Sequence, residues 1–446
     1  MNARPRRRRP SVRVGDRIPT AVRSILQLMV GTVGAQVVNI LAVPVLARLF
    51  GPESVGVYAY TIAIVLIASS VAALRMEWAI PLPAEEKDAR AVTQVALVLV
   101  TLISILGLGI LVAFRSQVQS ASPSVPIYPY IYWAPLLVAL TSWFNVLTQA
   151  SLRARRYTIV GRITLLQGVV LVAVQILSSA VTRTPNGLFA GHAAGRASGL
   201  VSLVRTNRSL LFPRERHLTR ALKTYWRFPV VFAPSSLLNT LGSNLPLIIL
   251  GSTFGASVAG NFSMAQRIAL IPSTIVGTAV GQVFLSEMSA RLRQGLDDNR
   301  AIYLTATKRL LLVAAPITVG LALLSGWLFV VVLGDQWALA GEFAQLISVS
   351  VGLGFVASPL SFVFVAYQQT RESVLVDVSR IILVVASGVA AARAGYGAHV
   401  VVGVMYAGQV VNYAITWLVG LRIVSGPLRQ PGSGSSTPAR DGAGST

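Results

Sequence analysis

The sequence predicts an all-α polytopic membrane protein with about twelve transmembrane helices. Of its 446 residues 54% are hydrophobic and only 12% are charged, whereas soluble globular proteins carry roughly 25% charged residues. Apolar runs of about 20 residues, the length that crosses a bilayer as a helix, recur along most of the chain. Strands of a membrane barrel are about 9–11 residues long and alternate in polarity, so these runs predict helices.

Several classes of catalytic and cofactor site are excluded by what the sequence lacks. It contains no cysteine, and its three histidines, His192, His217 and His399, lie in different regions. Disulfides and thiolate metal sites are therefore impossible, and a histidine metal cluster is not expected. No phosphate-binding loop, dinucleotide fingerprint or G-x-S-x-G nucleophile motif occurs. We expect neither an enzyme nor a bound cofactor.

Twelve apolar spans can be placed along the chain, with boundaries uncertain by several residues. They are residues 24–47, 55–75, 92–114, 131–150, 159–181, 187–205, 229–250, 263–286, 310–333, 343–366, 374–393 and 398–421. The sixth span is the weakest, because it contains His192 and Arg196. It is retained because the distribution of charge requires an even number of spans.

The distribution of basic residues predicts the topology. With twelve spans, all but six of the 38 Lys and Arg residues fall on one side of the membrane or in its terminal segments. The exceptions are Arg48, Arg115, Arg183 and Arg393 on the other side, and Arg196 and Arg267 within spans. Basic residues favour the cytoplasmic side, so both termini are expected in the cytoplasm. The protein is expected to span the inner membrane of a bacterium. The net charge of +23 then reflects topology rather than nucleic-acid binding.

The spans divide the chain into five regions. A basic N-terminal segment, 1–23, precedes a six-helix N-lobe at 24–205, and its RPRRRRP stretch is expected to contact anionic lipid headgroups. It is not expected to be a cleaved signal peptide, since the apolar run that follows it is too long. A cytoplasmic linker at 206–228 leads to a six-helix C-lobe at 229–422. The Gly/Ser/Pro-rich tail at 423–446 predicts disorder.

An internal repeat indicates how the two lobes are related. RLFGPESVGVY at 48–58 resembles STFGASVAGNF at 252–262. At a constant offset of 204 residues the matched positions are Phe50 with Phe254, Gly51 with Gly255, Gly56 with Gly260 and Tyr58 with Phe262. A repeat of six helices keeps its membrane orientation. The two lobes should therefore be related by a pseudo-two-fold axis along the membrane normal and enclose a central cavity.

Basic residues within the spans or at their edges are the main candidates for a binding site. A charge at the bilayer centre costs about 2.5–3.5 kcal/mol on insertion scales, so such residues usually face a cavity or a partner. The candidates are Arg267, Arg48, Arg75, Arg196 and Arg380. Arg380 could instead pair with Asp377 one turn away, and Arg48 and Arg75 could extend to the interface. Several arginines with few acids indicate an anionic ligand.

Uncharged polar residues in the spans could bind hydroxyl groups, or could instead hydrogen-bond between helices. They are Gln36, Asn39, Asn145, Gln149, Asn239, Asn244, Gln266 and Gln409.

Four stretches resemble the polysaccharide transporter family of the multidrug/oligosaccharidyl-lipid/polysaccharide exporter superfamily, and in particular the bacterial O-antigen and exopolysaccharide flippases. They are VPVLARLFGPESVGVYA at 43–59, LRMEWAIPLPAEEKDA at 74–89, AGNFSMAQRIALIPSTIVGTAVGQVFLSEMS at 259–289 and GDQWALAGEFAQLI at 334–347. The resemblance extends over about residues 20–422. It implies two six-helix bundles that open alternately to each side of the membrane.

The resemblance also implies a substrate and three site residues. The substrate would be a polyprenyl-pyrophosphate-linked oligosaccharide moved from the inner to the outer leaflet. In the related peptidoglycan-precursor flippase, cavity arginines contact the pyrophosphate, and these resemble Arg267 in Ala265–Ile268, Arg48 in Ala47–Gly51, and Arg75. The first span here lacks the additional arginine and aspartate of that flippase, so its substrate is not transferred to this chain.

Three functions remain open from the sequence. A flippase for O-antigen, capsule or exopolysaccharide units would act beside glycosyltransferases and a polymerase and would need no catalytic residues. An ion-coupled multidrug exporter shares the fold but should contain buried acids, which are scarce here. A polymerase or ligase should carry large outer loops, whereas the longest outer loop, about 115–130, is short and nearly uncharged.

Overall fold

The computed structural model describes residues 18–114, 116–117, 120, 124–208, 218–294 and 298–426. Its long helices are α1 (Ile18–Leu49), α2 (Pro52–Ala72), α3 (Glu86–Ala113), α4 (Trp133–Arg153), α5 (Tyr157–Ser178), α6 (Pro185–Thr206), α7 (Phe228–Phe254), α8 (Ala256–Ala269 and Ile271–Gln294), α9 (Asn299–Leu333), α10 (Asp335–Ala366), α11 (Arg371–Arg393) and α12 (Ala398–Ser425). Residues 1–17 of the basic segment, 209–217 of the linker and 427–446 of the tail lie outside the described residues. A short helix, Leu218–Thr224, precedes α7.

The fold class predicted from the sequence is confirmed, because a helix lies at each of the twelve predicted spans and the described residues contain no strand. Nine helical segments in this part of the chain are long and apolar enough to cross a membrane. The other three predicted spans correspond to α4, α6 and α8, which contain more polar or small residues. The division into lobes and terminal segments stays a prediction.

A row of glycines explains why the polar sequence of α6 forms a helix at a span position. Gly187, Gly191, Gly195 and Gly199 recur every four residues and are buried on one face. A Cβ built on Gly195 would lie 2.8 Å from Leu171 Cβ on α5, and one on Gly199 would lie 2.7 Å from the Phe144 ring on α4. Small residues let helix backbones approach closely in lipid, where packing rather than hydrophobicity drives association.

Most helix packing lies within each half of the chain. In the first half α5 packs along α1 and α6, and α4 packs on α3 and α6. In the second half α10 packs against α8, α9 and α12. The halves meet chiefly where α2 packs against α7 and α8, so the pair α2–α8 belongs to the contact between halves.

The connections between helices lie at two ends of the bundle. The α2–α3 and α4–α5 connections meet at one end, where Arg153 Nη1 donates to the Pro81 carbonyl at 3.0 Å. We call it the basic end, since most described Lys and Arg residues outside the helix interiors lie there. At the opposite end the α1–α2 and α5–α6 connections meet, and Ser54 Oγ donates to the Arg183 carbonyl at 3.1 Å.

Two side chains of α10 bind the end of α1 at the opposite end of the bundle. Gln336 Nε2 and the buried Trp337 Nε1 donate to the same acceptor, the Ala47 carbonyl oxygen, at 2.8 and 2.9 Å. Trp337 is fully buried in the hydrophobic core. Because an indole N–H inside a core requires a partner, this contact fixes α1 against the second half.

The repeated glycines make a reciprocal contact at the same end. A Cβ on Gly56 in α2 would overlap the carbonyl oxygen of Ala256 in α8, and a Cβ on Gly260 would overlap the carbonyl oxygen of Pro52. Pro52 and Ala256 are matched by the same 204-residue offset that matches the two glycines. Each repeat therefore contacts the other through corresponding residues, as expected for two elements related by a two-fold axis.

We predict that a side chain at this crossing opens the opposite end. Overpacking typically costs about 1–3 kcal/mol, so Gly56→Val should separate α2 from α8. Because the chain has no native cysteine, a single Ser263→Cys substitution can report access from that end. Its labelling by a membrane-impermeant thiol reagent should rise by about tenfold, since about 1.4 kcal/mol changes an equilibrium tenfold.

The control is Gly107→Val on α3, where an added Cβ meets no atom within 4 Å. It should leave the labelling of Ser263→Cys unchanged. Equal labelling of the Gly56→Val and Gly107→Val proteins would show that the glycine crossing does not close this end.

Candidate functional site

A cavity of about 390 Å³ lies between the two halves, adjoining the α2–α8 crossing. Most of its wall is apolar and comes from α1, α2, α7 and α8, for example Leu46, Ile62 and Leu247. Its polar lining residues are Tyr58, Gln175, Asn244, Ser263, Gln266 and Arg267. A cavity of this kind fits a ligand that is mainly apolar and has one compact polar group.

Arg267 is the one charged residue among the described residues that line this cavity. It lies on the first segment of α8, one turn before the helix is interrupted at Leu270. Its Nη2 donates to the Asn39 carbonyl on α1 at 3.3 Å, and its side chain is otherwise exposed to the cavity. A guanidinium within a membrane-spanning helix is costly without a counter-charge, so this position favours an anionic ligand.

Two of the predicted polar residues line the same cavity. Gln266 donates from Nε2 to the Tyr406 hydroxyl on α12 at 2.6 Å. Asn244 donates to the Thr240 carbonyl within α7 at 2.9 Å, which leaves its amide oxygen available to the cavity. Asn39 contributes its backbone carbonyl to Arg267, while its side chain bonds Ala35 one turn earlier at 2.8 Å.

Tyr58 is a cavity residue that the sequence analysis did not select. Its hydroxyl hydrogen-bonds His192 Nδ1 on α6 at 2.9 Å, and its ring lies 5.4 Å from the ring of Phe189. In the repeat Tyr58 is matched by Phe262. The sequence signal for Tyr58 was that it carries a hydroxyl whereas the residue matched to it in the repeat does not.

Arg196 lies near Tyr58 and His192 but is not among the described residues that line the cavity. Its guanidinium is over the ring of Phe144 at 5.3 Å, within the range of a cation–π interaction. Its Nε is buried and has no hydrogen-bond partner. Arg196 therefore retains unused donor capacity inside the first half.

The structure places Arg48 and Arg75 at the two ends of the bundle, away from Arg267. Arg48 Nη2 donates to the Val331 carbonyl on α9 at 3.4 Å at the opposite end. At the basic end, Arg75 pairs with Glu77 at 3.2 Å and contacts Ser236 on α7. Burial raises the pKa of Glu77, and the backbone and Arg75 oppose that rise. Arg75 therefore links α2 to α7.

Arg380 and Asn239 lie at a second cavity, and Arg380 forms the predicted pair with Asp377 at 3.5 Å. Asn239 Nδ2 donates to Asp377 Oδ1 at 3.3 Å. Gln36 and Asn145 are exposed and Gln149 is half-buried, and none of these three is among the described residues lining the cavity at Arg267. The structure thus brings together Arg267, Gln266 and Asn244 from the predicted set.

The fold and the cavity define a helical, multi-span membrane protein with an internal site between its two halves. The chain belongs to the family described as polysaccharide biosynthesis protein, which matches residues 45–342. This confirms the resemblance seen in the sequence.

Three relatives carry names from polysaccharide synthesis. The chain is 27% identical over 147 residues to the teichuronic acid biosynthesis protein TuaB of Bacillus subtilis, covering 33% of this chain and 30% of that protein. It is 28% identical over 158 residues to the succinoglycan biosynthesis transport protein ExoT of Rhizobium meliloti, covering 35% and 31%. For the lipopolysaccharide biosynthesis protein WzxC of Escherichia coli, identity is 22% over 200 residues, covering 45% and 40%. The matches thus span less than half of each relative.

Two solved structures share the fold over most of the chain. One is the lipid II flippase MurJ in an inward closed conformation, with a TM-score of 0.69, 11% identity and coverage of 90% of both chains. The other is a multidrug resistance MATE family transporter of the MOP superfamily in an inward-facing conformation, with a TM-score of 0.66 and 14% identity, covering 91% of this chain and 98% of that one. At these identities the likeness establishes the fold alone.

We predict that inorganic pyrophosphate stabilises the purified protein through Arg267. A ligand at about 100 times its Kd adds about 2.7 kcal/mol to the stability of the folded state, so the thermal unfolding midpoint should rise. Arg267→Ala should abolish the rise, because the cavity loses its charge. Arg393, at the end of α11, is exposed, and Arg393→Ala is the matched control that should keep the rise. Persistence of the rise in both variants would show that pyrophosphate binds elsewhere.

Proposed function

We propose that the protein is a flippase that moves a polyprenyl-pyrophosphate-linked oligosaccharide across the bacterial inner membrane by alternating access. The glycan would be a unit of O-antigen, capsule or exopolysaccharide. The observation that carries the proposal is a single arginine, Arg267, inside a mainly apolar cavity of a protein from a polysaccharide biosynthesis family. The names of the relatives, among them a succinoglycan biosynthesis transport protein, support the same substrate class.

The cavity suits the part of such a substrate where charge meets lipid. A guanidinium binds phosphate oxygens through two parallel charge-assisted hydrogen bonds. Around it, Leu46, Ile62 and Leu247 supply an apolar wall against which the first isoprene units of the carrier can pack. Binding through one arginine also remains weak enough for release on the far side.

The basic end of the bundle is proposed to face the cytoplasm, following the distribution of Lys and Arg. In the structure the opposite end is closed by the α2–α8 crossing and the bonds of α10 to Ala47. The substrate would therefore enter from the inner leaflet in this state. Glycosyltransferases and a polymerase of the same synthesis route are its proposed functional partners.

Ion-coupled export of small molecules is the alternative that this fold leaves open. Such a transporter would be expected to have carboxylates in the wall of its central cavity, and the described residues that line the cavity at Arg267 include none. Asp377, an acid within α11, is instead paired with Arg380. The charge of the cavity thus favours an anionic lipid headgroup over a cationic drug.

The proposal predicts where lipid-linked oligosaccharide accumulates in cells that lack the protein. It should build up in the inner leaflet, measured as the fraction inaccessible to a glycan-modifying reagent added outside spheroplasts. Wild type should restore outer-leaflet exposure. Arg267→Ala should reduce the rate of exposure by about tenfold to a hundredfold, since losing a charge-assisted hydrogen bond costs about 1.5–3 kcal/mol.

Arg393→Ala, at the exposed end of α11, is the control that removes an arginine outside the cavity and should complement fully. Normal sidedness in cells without any flippase of this family would contradict the proposed function. Full complementation by Arg267→Ala would retain the function and reject this arginine as the pyrophosphate ligand.

A further inference from the structure

A second cavity lies within the second half of the chain and has a different chemical character. Its volume is about 360 Å³, and its wall comes from α7, α10, α11 and α12. Polar and apolar groups contribute about equally to its wall, whereas the wall at Arg267 is mostly apolar, and its polar groups include Asn239, Ser358, Ser361, Ser373 and Asp377. Polar surface of this density inside a membrane protein usually serves a ligand.

The charges of this cavity cancel. Asp377 and Arg380 are paired at 3.5 Å, and both side chains are about four-fifths buried. Asn239 holds the pair from α7, because its Nδ2 donates to Asp377 and its carbonyl accepts from Arg380 Nη2 at 2.9 Å. Since the carboxylate already has a cation beside it, neither a free cation nor an anion is favoured here. The cavity instead favours a neutral ligand with several hydroxyl groups.

Unused hydrogen-bonding capacity remains in the wall. Arg380 Nε is buried and has no hydrogen-bond partner. The guanidinium packs closely against Gly242 of α7, where a Cβ would be 2.8 Å from that Nε, so this contact leaves no room for a side chain. In the cavity wall, Ser361 Oγ donates to the Ser358 carbonyl at 2.7 Å, so its oxygen can still accept a hydrogen bond from a ligand hydroxyl.

Aromatic rings complete the wall. Phe362, Phe364 and Tyr413 line the cavity together with the polar groups. The axial C–H face of a pyranose packs on an aromatic ring, while its hydroxyls need both donors and acceptors. Carboxylate, guanidinium, amide and ring are present together here, in a space that a monosaccharide or disaccharide unit can occupy.

We propose that this second cavity binds pyranose units of the oligosaccharide, while the cavity at Arg267 binds the pyrophosphate and the start of the lipid. The inference rests on the proposed function and divides its substrate between two sites. Helix α7 lies between them, with Asn244 lining the pyrophosphate cavity and Asn239 lining the sugar cavity. Five residues of helix correspond to about 7.5 Å along the axis, so the two asparagines lie at neighbouring levels of α7.

The direction of this step agrees with the topology. Asn239 precedes Asn244 along α7, which begins at the basic end. The sugar cavity therefore lies nearer the proposed cytoplasmic side, where the glycan of an inner-leaflet substrate is located. The lipid would point away from it, toward the apolar wall of the first cavity.

Two single-cysteine reporters in the cysteine-free chain test this assignment. Ser361→Cys reports on the sugar cavity, and Ser263→Cys reports on the pyrophosphate cavity. Serine and cysteine are close in size, and each purified variant is first shown to keep the thermal unfolding midpoint of the unsubstituted protein. The purified protein is labelled with a small thiol reagent alone, with polyprenyl pyrophosphate lacking sugar, or with lipid-linked oligosaccharide extracted from the producing cells.

The sugar-bearing lipid should slow labelling of both cysteines by about tenfold at about ten times its Kd. The lipid without sugar should slow labelling only at Ser263→Cys. Protection of Ser263→Cys by both lipids with no protection of Ser361→Cys would overturn the sugar site and leave the proposed function intact. Absence of protection at both positions would overturn the proposed function.

A comparison of sodium chloride with choline chloride at matched ionic strength tests whether the second cavity binds a cation instead of a sugar. The labelling rate of Ser361→Cys is measured in each salt. Slower labelling of Ser361→Cys by sodium alone would overturn the sugar assignment. Asp377→Asn adds an independent readout, since it keeps an amide of similar shape but leaves Arg380 unneutralised. It should abolish the protection of Ser361→Cys while preserving that of Ser263→Cys; unchanged protection of Ser361→Cys would count against the site.

Discussion

The close crossing of α2 and α8 is the constraint on which the arrangement of the two halves depends. Backbone meets backbone there, because Gly56 and Gly260 carry no side chain and each faces a carbonyl of the opposite repeat. Helices in lipid gain little from hydrophobicity and associate by close packing. A contact that lacks side chains can therefore form tightly, and it can separate without unpairing buried charges. It holds the two halves together at the end of the bundle opposite the basic end.

The arginines of the two cavities differ in their partners, and this difference is the basis for the two roles proposed for the cavities. Arg267 faces an apolar space with one backbone carbonyl of α1 as its recorded hydrogen-bond acceptor. Arg380 has Asp377 beside it and the Asn239 carbonyl in addition. In a medium of low dielectric constant the first arrangement favours an incoming anion, and the second favours a neutral ligand. A lipid-linked glycan contains both kinds of group in sequence.

The sequence was sufficient for the helices and for selecting Arg267, the arginine that the structure places in the wall of the cavity between the halves. Hydropathy placed α1–α12, because a membrane span must be a helix of fixed minimum length whatever its neighbours are. Arg267 could be recognised for the same reason, since a charge there has no acid nearby in the chain. Even α6 was retained by counting charges, although the packing role of its glycine row appears only against α4 and α5.

Tertiary structure decided which polar residues meet. A hydropathy profile does not distinguish the five candidate arginines, yet the structure separates them. Arg48 and Arg75 lie at the two ends of the bundle, and Arg196 lies over the Phe144 ring. Arg267 and Arg380 line two different cavities. No spacing rule indicated that Tyr58 and Gln175 would line the cavity between the halves, because α2, α5 and α8 are distant in sequence. The sequence by itself determined the elements and the buried charge, which depend on the local chain and the solvent. Which residues share a cavity depends on helix packing, and that is set by small residues meeting across the bundle.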